Sequence, residues 1–162
     1  MNRPSILSGA LWGGLLSAPL IALAFLGQQI AGLPFIPFDF FDWVARTLPG
    51  PIITFGIDTM VAIIRGLNLG ATDDTAKLGE QLMAIIAIVV IGALAGAAFF
   101  AVMNALRRRS NGTGGAILGV ILSVPMALIS LSVNLNTAAD PLFALAFILL
   151  LYIVWGVTLG AV

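Results

Sequence analysis

The sequence contains no cysteine and no histidine. Haem in a membrane protein needs an axial ligand such as His, Met or Cys, and iron–sulfur clusters need cysteine. Protein zinc and copper sites depend on the same side chains. We therefore expect no cofactor bound through His or Cys, which argues against a cytochrome subunit and against a protein that ligates chlorophyll through histidine.

Charged residues are also scarce, at 9% of the chain against 60% hydrophobic residues, and the formal net charge is zero. A soluble domain has about a quarter of its residues charged. A neutral chain offers no basic surface for nucleic acid, so no nucleic-acid partner is expected. Four uncharged stretches reach the roughly 20 residues that cross a bilayer as a helix. The sequence predicts an all-α integral membrane protein, a single membrane domain over residues 1–162, with spans at about 6–26, 82–103, 116–133 and 141–162.

Residues 32–81, between the first two predicted spans, form an amphipathic insert. Asp39 is predicted to cap the N-terminus of a short helix that runs to Leu48. Aromatic residues beside charged ones are typical of a helix lying in the membrane interface. The aromatic residues that mark this candidate interface are Phe40, Phe41 and Trp43.

A second helix of the insert is predicted at about 52–67 and carries Asp58 and Arg65, two further candidate interface residues. Its length would allow a fifth span. Positively charged residues favour the cytoplasmic side, and only four spans place Arg3 and the cluster Arg107, Arg108 and Arg109 on that same side. We therefore favour four spans with an interfacial or re-entrant insert, and keep five spans as the alternative.

The arginine cluster acts as a cytoplasmic anchor in this topology, with anionic lipid binding as a functional option. The predicted location is the bacterial cytoplasmic (inner) membrane, multi-pass, with the N-terminus in the cytoplasm and the first span retained as an anchor. Membrane lipids and other membrane subunits are the expected partners.

Two segments resemble each other: GGLLSAP at 13–19 and GVILSVP at 119–125. A helix with the pattern Gly-x-x-x-Gly, which lets helix backbones approach closely, follows each of them further along the chain. We interpret the layout as two parallel helical-hairpin repeats, the first of which holds the insert. Ser17 and Ser123 are expected to help satisfy the carbonyls that the prolines leave free. The marker residues are the kink-forming Pro19 and Pro125 and the helix-packing Gly92, Gly96, Gly156 and Gly160.

The insert also carries a resemblance to a known family. The segments GLPFIPFDFFDW (32–43), LPG (48–50) and TFGID (54–58), with Trp155 and Gly156 in the last span, resemble the N-terminal membrane region of bacterial membrane-bound molybdopterin-dependent oxidoreductases. The resemblance implies a multi-helix anchor that precedes a sulfite-oxidase-like catalytic domain, in a chain continuing past Val162. The cysteine that binds molybdenum in that domain has no counterpart here, so no catalytic residue is carried over.

No nucleophile–base pair, carboxylate dyad or phosphate-binding loop is visible in the sequence. The first hypothesis is therefore a non-catalytic membrane anchor or subunit of an oxidoreductase assembly, which docks partners through the insert and the Gly-x-x-x-Gly helices. The second is an accessory subunit of a photosynthetic or respiratory electron-transfer complex, with lipid or quinone contact. The third is a small transporter, suggested by the repeat and the proline helices.

Overall fold

The computed structural model describes residues 5–66, 72–133 and 139–162, with the backbone alone at 57, 60, 63–65 and 72–78. Every regular element in these ranges is a helix, which confirms the all-α prediction. The helices are α1 (Ile6–Ala31), α2 (Ile36–Thr47), α3 (Gly50–Gly66), α4 (Thr72–Ala105), α5 (Gly112–Val133) and α6 (Pro141–Ala161).

Four of these helices are long and apolar enough to cross a membrane: α1, the Gly79–Ala105 part of α4, α5 and α6. This confirms the prediction of a multi-pass membrane protein with four candidate spans. Helix α1 runs past its predicted end because Gly32, at φ 61°, supplies the left-handed residue that ends it. The Gly32 N–H bonds to the Gln28 carbonyl at 3.0 Å. The position of α2 and α3 relative to the membrane stays a prediction.

Helix α2 begins earlier than predicted, and the N-cap role assigned to Asp39 is wrong. Phe35 occupies the N-cap position without a side-chain hydrogen bond, and Pro37 lies in the first turn. Proline favours a first helical turn because its φ is preset and no N–H is lost there. Asp39 therefore falls within the first turn, where a carboxylate is favoured by the helix dipole.

The spans pack as two antiparallel hairpins, α1 with α4 and α5 with α6. In the first, Gly9 and Gly13 of α1 lie against the backbone of Gly96 and Gly92 of α4. A Cβ atom added at Gly96 would overlap the Gly9 carbonyl oxygen and lie 3.0 Å from the Gly13 Cα. The helix backbones touch directly, and only glycine leaves room for this.

The second hairpin has the same kind of contact. Gly115 of α5 lies against Gly156 of α6, and Gly119 lies against the backbone of Tyr152. At the end of the seam, Gly160 packs against the Asn111 carbonyl. Both hairpins therefore depend on small residues spaced four apart on each of their helices.

The prolines lie inside α1 and α5, each of which continues through them as one helix. Ser17 Oγ donates to the Gly13 carbonyl at 2.9 Å, and Ser123 Oγ donates to the Val120 carbonyl at 2.8 Å. Neither is the carbonyl that a proline leaves free, which belongs to the residue four positions before it. The expected role of the two serines is therefore wrong, and the kinks at Pro19 and Pro125 stay a prediction.

Several polar side chains are buried in the bundle beside its apolar core, and many large apolar side chains lie on the outside. The buried set includes Ser17, Ser123, Ser130 and Tyr152. Leu7, Leu15, Leu94, Leu128 and Leu142 are among the most exposed residues. This arrangement suits a lipid surrounding, in which polar groups must find their partners within the protein.

Helix α4 ends in a turn that places an arginine in the left-handed region. Arg107 has φ 54°, and its N–H bonds to the Asn104 carbonyl at 3.1 Å while the Arg108 N–H bonds to the Met103 carbonyl at 2.9 Å. This pair of bonds is the Schellman motif, in which glycine usually occupies the left-handed position. The backbone of Arg107 is therefore strained, since a residue with a Cβ is disfavoured in this region.

Replacing Arg107 by glycine is expected to stabilise the fold by a few tenths to about 1 kcal/mol, because glycine adopts this φ without strain. Thermal unfolding in detergent measures the change. Arg108→Gly is the matched control. It should give no gain, because among the non-glycine residues that the structure describes only Arg107 has a positive φ. An unchanged or lowered midpoint for Arg107→Gly would contradict the strain.

Candidate partner site on α2 and α3

Helix α2 is joined to the bundle by a buried polar contact. Ser130 Oγ on α5 donates to Asp39 Oδ2 at 2.6 Å, across 91 positions of sequence. Asp39 is 7% exposed and Ser130 is 2% exposed. Hydrogen bonds of this length to a carboxylate are strong, and burial from water makes the loss of either partner costly.

Aromatic packing fixes the start of α2 against the end of α1. The Phe35 ring, which is buried, meets Phe25 edge-on at a centroid distance of 5.9 Å and Phe38 at 4.7 Å. Edge-to-face aromatic pairs add stabilisation beyond the area they bury. Together with Asp39, these rings hold α2 in one orientation.

The turns of α2 that follow Asp39 carry exposed side chains, among them the predicted interface residue Trp43. Trp43 is 37% exposed and its ring lies 6.3 Å from that of Phe40, which packs partly against the core. Arg46 Nη2 lies 2.7 Å from Asp42 Oδ2 in an exposed ion pair. Such a pair contributes only about 0.3–0.5 kcal/mol, so it leaves both charges available for recognition.

Helix α3, which follows α2 in the chain, also carries exposed apolar side chains. Phe55 is 73% exposed and Ile52 is 52% exposed, on a helix that packs against α4. Asp58 is exposed on the same helix, whereas the side chain of Arg65 lies outside the described residues. A relation between Asp58 and Arg65 therefore stays a prediction.

A groove of about 410 Å³ lies between α2 and α4. This volume falls within the range of small-molecule sites, roughly 300–1,000 Å³. Phenyl rings, carboxylates and an amide line the groove together, a mixture suited to an amphiphilic ligand. The lining residues are Phe38, Phe41, Asp42, Ala45, Glu80 and Gln81.

The glycines singled out in the sequence have a different location from the insert. Gly92, Gly96, Gly156 and Gly160 all lie in the seams within the hairpins, in contact with backbone atoms of this same chain. That these glycines pack against a second set was not predicted from the sequence, although each pair of that set shows the same spacing of four. The second set is Gly9, Gly13, Gly115 and Gly119. These glycines make their close contacts within the chain itself. Helices α2 and α3 therefore remain as the candidates for a surface that binds a partner.

Among the described residues, no group of three or more His, Cys, Asp or Glu is placed to hold a metal ion. Tyr152 is the buried side chain that stands out, since its hydroxyl has no hydrogen-bond partner within the described residues. Nearby, Trp155 Nε1 donates to the Gly13 carbonyl at 3.4 Å.

Tyr152→Phe is expected to leave the fold as stable as before or stabilise it by about 1 kcal/mol, because it removes a buried polar group without breaking a bond. The measurement is the unfolding midpoint in detergent. Trp155→Phe serves as the contrast and should lower the midpoint, since it loses both a hydrogen bond and core volume. A large loss of stability in Tyr152→Phe would show that the hydroxyl does have a partner in solution.

No protein-family model, curated protein or solved structure matches this chain.

Proposed function

We propose that this chain is a non-catalytic membrane anchor or subunit of an oxidoreductase assembly, and that it docks a partner protein through α2 and α3. The observation that carries the proposal is the buried Asp39–Ser130 hydrogen bond. It fixes the start of α2 on the spans, while the following turns of α2 keep Trp43 and the Asp42–Arg46 pair exposed. Aromatic residues and arginine are enriched in protein interfaces, and a fixed surface binds with less loss of entropy.

The oxidoreductase part of the proposal comes from the resemblance of segments 32–43, 48–50 and 54–58 to the molybdopterin enzymes. The interfacial position of the insert belongs to the same proposal. It is supported by the aromatic residues of α2 and by Asp58, which is exposed in the middle of α3 and would be costly at the centre of a bilayer.

The hairpins α1–α4 and α5–α6 form, in this proposal, the parallel repeats of a scaffold. Both pack through glycine seams, but in different registers. Gly13 meets Gly92, whereas its counterpart Gly119 meets Tyr152, one turn before Gly156. A shift of one turn, about 5.4 Å, would let two copies of one hairpin diverge while keeping close backbone contact.

A second candidate function is contact with a lipid-soluble substrate such as quinone, which the α2–α4 groove favours. Phe38 and Phe41 offer aromatic walls, and Gln81 offers an amide donor to a carbonyl. This role is compatible with docking, because the groove opens beside the same surface.

Photo-crosslinking in the native membrane tests the docking proposal. A photoreactive amino acid is placed at Trp43 or Phe55, and at the exposed Val154 of α6 as the control. We expect the same partner polypeptide to be captured from positions 43 and 55 and lipid alone from 154. Capture of lipid alone at all three positions would overturn the docking surface.

The captured partner also decides the oxidoreductase part. Molybdenum, haem, flavin or an iron–sulfur cluster in the purified partner supports it. A partner without any redox cofactor would leave the docking surface in place and exclude the oxidoreductase assembly.

A further inference from the structure

An apolar groove of about 300 Å³ lies between α4 and α5. It exists because α4 pairs with α1 and α5 pairs with α6, so the two helices joined by residues 106–111 do not close against each other. Val102, Ile117 and Ile121 are exposed at its rim, and Phe99 is buried at its floor. Every lining side chain is apolar, among them Phe99, Val102, Met103, Ile117, Leu118 and Ile121.

One end of this α4–α5 groove carries positive charge. The lining residue Met103 accepts a backbone hydrogen bond from Arg108, so the turn at residues 106–109, the arginine turn, begins at this end of the groove. Arg107 and Arg108 are both exposed. On the other side, the N-terminus of α5 begins at Gly112 and directs its dipole, which favours an anion, to the same end.

Four of the acidic side chains lie elsewhere. Asp39 and Asp42 are on α2, Glu80 shares a groove with α2, and Asp140 caps the N-terminus of α6. All four lie at the end of the bundle opposite the arginine turn. Helix α6 ends beside Asn111, close to the arginine turn, so its N-terminus lies at the far end. The α4–α5 groove thus combines an apolar wall with positive charge at one mouth.

We propose that the α4–α5 groove binds one acyl chain of an anionic phospholipid, whose phosphate contacts Arg107 and Arg108. The groove follows α4 from Ala98 to Met103 and α5 from Gly114 to Ile121, roughly 8–10 Å by helical rise, which accommodates the upper part of an acyl chain. Guanidinium groups bind phosphate through paired hydrogen bonds.

The strained backbone at Arg107 supports the assignment independently of the groove. Strain of this kind persists at functional sites, where the residue is kept for its side chain. A glycine would end α4 without strain. The arginine is explained if its side chain binds a headgroup in the leaflet at this end of the protein.

Native mass spectrometry of the purified full chain tests the site. The protein in detergent is titrated with phosphatidylglycerol and, separately, with phosphatidylcholine of the same acyl chains. We expect the first phosphatidylglycerol adduct at a concentration at least ~10-fold lower than the first phosphatidylcholine adduct, because each basic residue near an anionic headgroup is worth roughly five-fold. Equal affinity for the two lipids would overturn the proposal.

Two variants then separate a built site from general attraction to charge. The double variant Arg107→Gln/Arg108→Gln should lose roughly 25-fold in phosphatidylglycerol affinity, and Arg109 stays intact because it already has an interaction within the chain. Ala98→Phe fills the α4–α5 groove from an exposed position and should remove the tight adduct with all charges in place.

The matched controls are Arg46→Gln, which removes a cation at the other end, and Val90→Phe, which adds the same ring on an exposed part of α4 outside the groove. Both should bind phosphatidylglycerol as the parent chain does. If Ala98→Phe keeps the tight adduct, or if Arg46→Gln weakens it as much as the double variant does, the α4–α5 groove is not the site.

Discussion

Gly96→Val is expected to separate α1 from α4 and to destabilise the protein by about 3 kcal/mol or more, at the upper end of overpacking effects. The atoms that an added Cβ would meet are all backbone atoms of Gly9 and Gly13. A side chain could turn aside, but backbone cannot move without shifting the whole helix. Gly96→Ala should already cost about 1–3 kcal/mol, since the first added carbon is the one that overlaps.

Thermal unfolding in detergent, with the elution profile as a check on the folded state, measures this effect. The control is Gly56→Ala on α3, where no described atom lies within 4 Å of an added Cβ. That change should be neutral or stabilise the helix by about 0.5–1 kcal/mol. Gly156→Ala, in the α5–α6 seam, should behave like Gly96→Ala. An unchanged midpoint for either seam variant would mean that its hairpin does not pack through glycine backbone.

The spans could be predicted because hydropathy and length decide them, and the structure departs from the prediction mainly at helix ends. Gly32 ends α1 later than the apolar run suggested, and Pro37 starts α2 before Asp39. Both differences are local and follow from backbone preferences of these two residues. Hydrophobic pattern alone carries no information on where a cap falls.

The partners of the glycines were harder to predict than the glycines themselves. The spacing of Gly92 and Gly96 indicates a close contact between two helices, but any small residue on any other helix could supply the facing surface. The pairing with Gly9 and Gly13 depends on register between helices far apart in sequence. A search of the whole chain for glycines spaced by four would have found the partner stripes, because Gly115 and Gly119 show the same spacing.

Nothing in the local pattern pointed to Ser130 as the partner of Asp39. A serine in a span most often bonds to a carbonyl of its own helix, as Ser132 does with Ile129 at 2.7 Å. From the sequence, Asp39 is predicted to be an N-cap, whose hydrogen-bond partners belong to its own helix. Only the packing of α2 across α5, set by tertiary contacts, turns it inward.

Ser130→Ala is accordingly the second variant with a large expected effect. It removes the donor to a buried carboxylate, a hydrogen bond worth about 1.5–3 kcal/mol, and it acts on α2 in particular. Amide hydrogen exchange followed by mass spectrometry should show α2 exchanging roughly 10- to 100-fold faster, because local opening follows local stability. Exchange within the α1–α4 and α5–α6 seams should remain slow.

Ser132→Ala is the matched control, two positions along the same helix and exposed, and should change exchange in α2 little. Asp39→Asn keeps an oxygen that can accept from Ser130 and separates the hydrogen bond from the charge, so it should cost less than Asp39→Ala. If Ser130→Ala leaves α2 as protected as in the parent chain, the aromatic contacts of Phe35 hold α2 without the buried polar contact. Faster exchange together with loss of the crosslinked partner at position 43 would tie the fixed orientation of α2 to docking, since a surface that is no longer held in place binds at a greater cost in entropy.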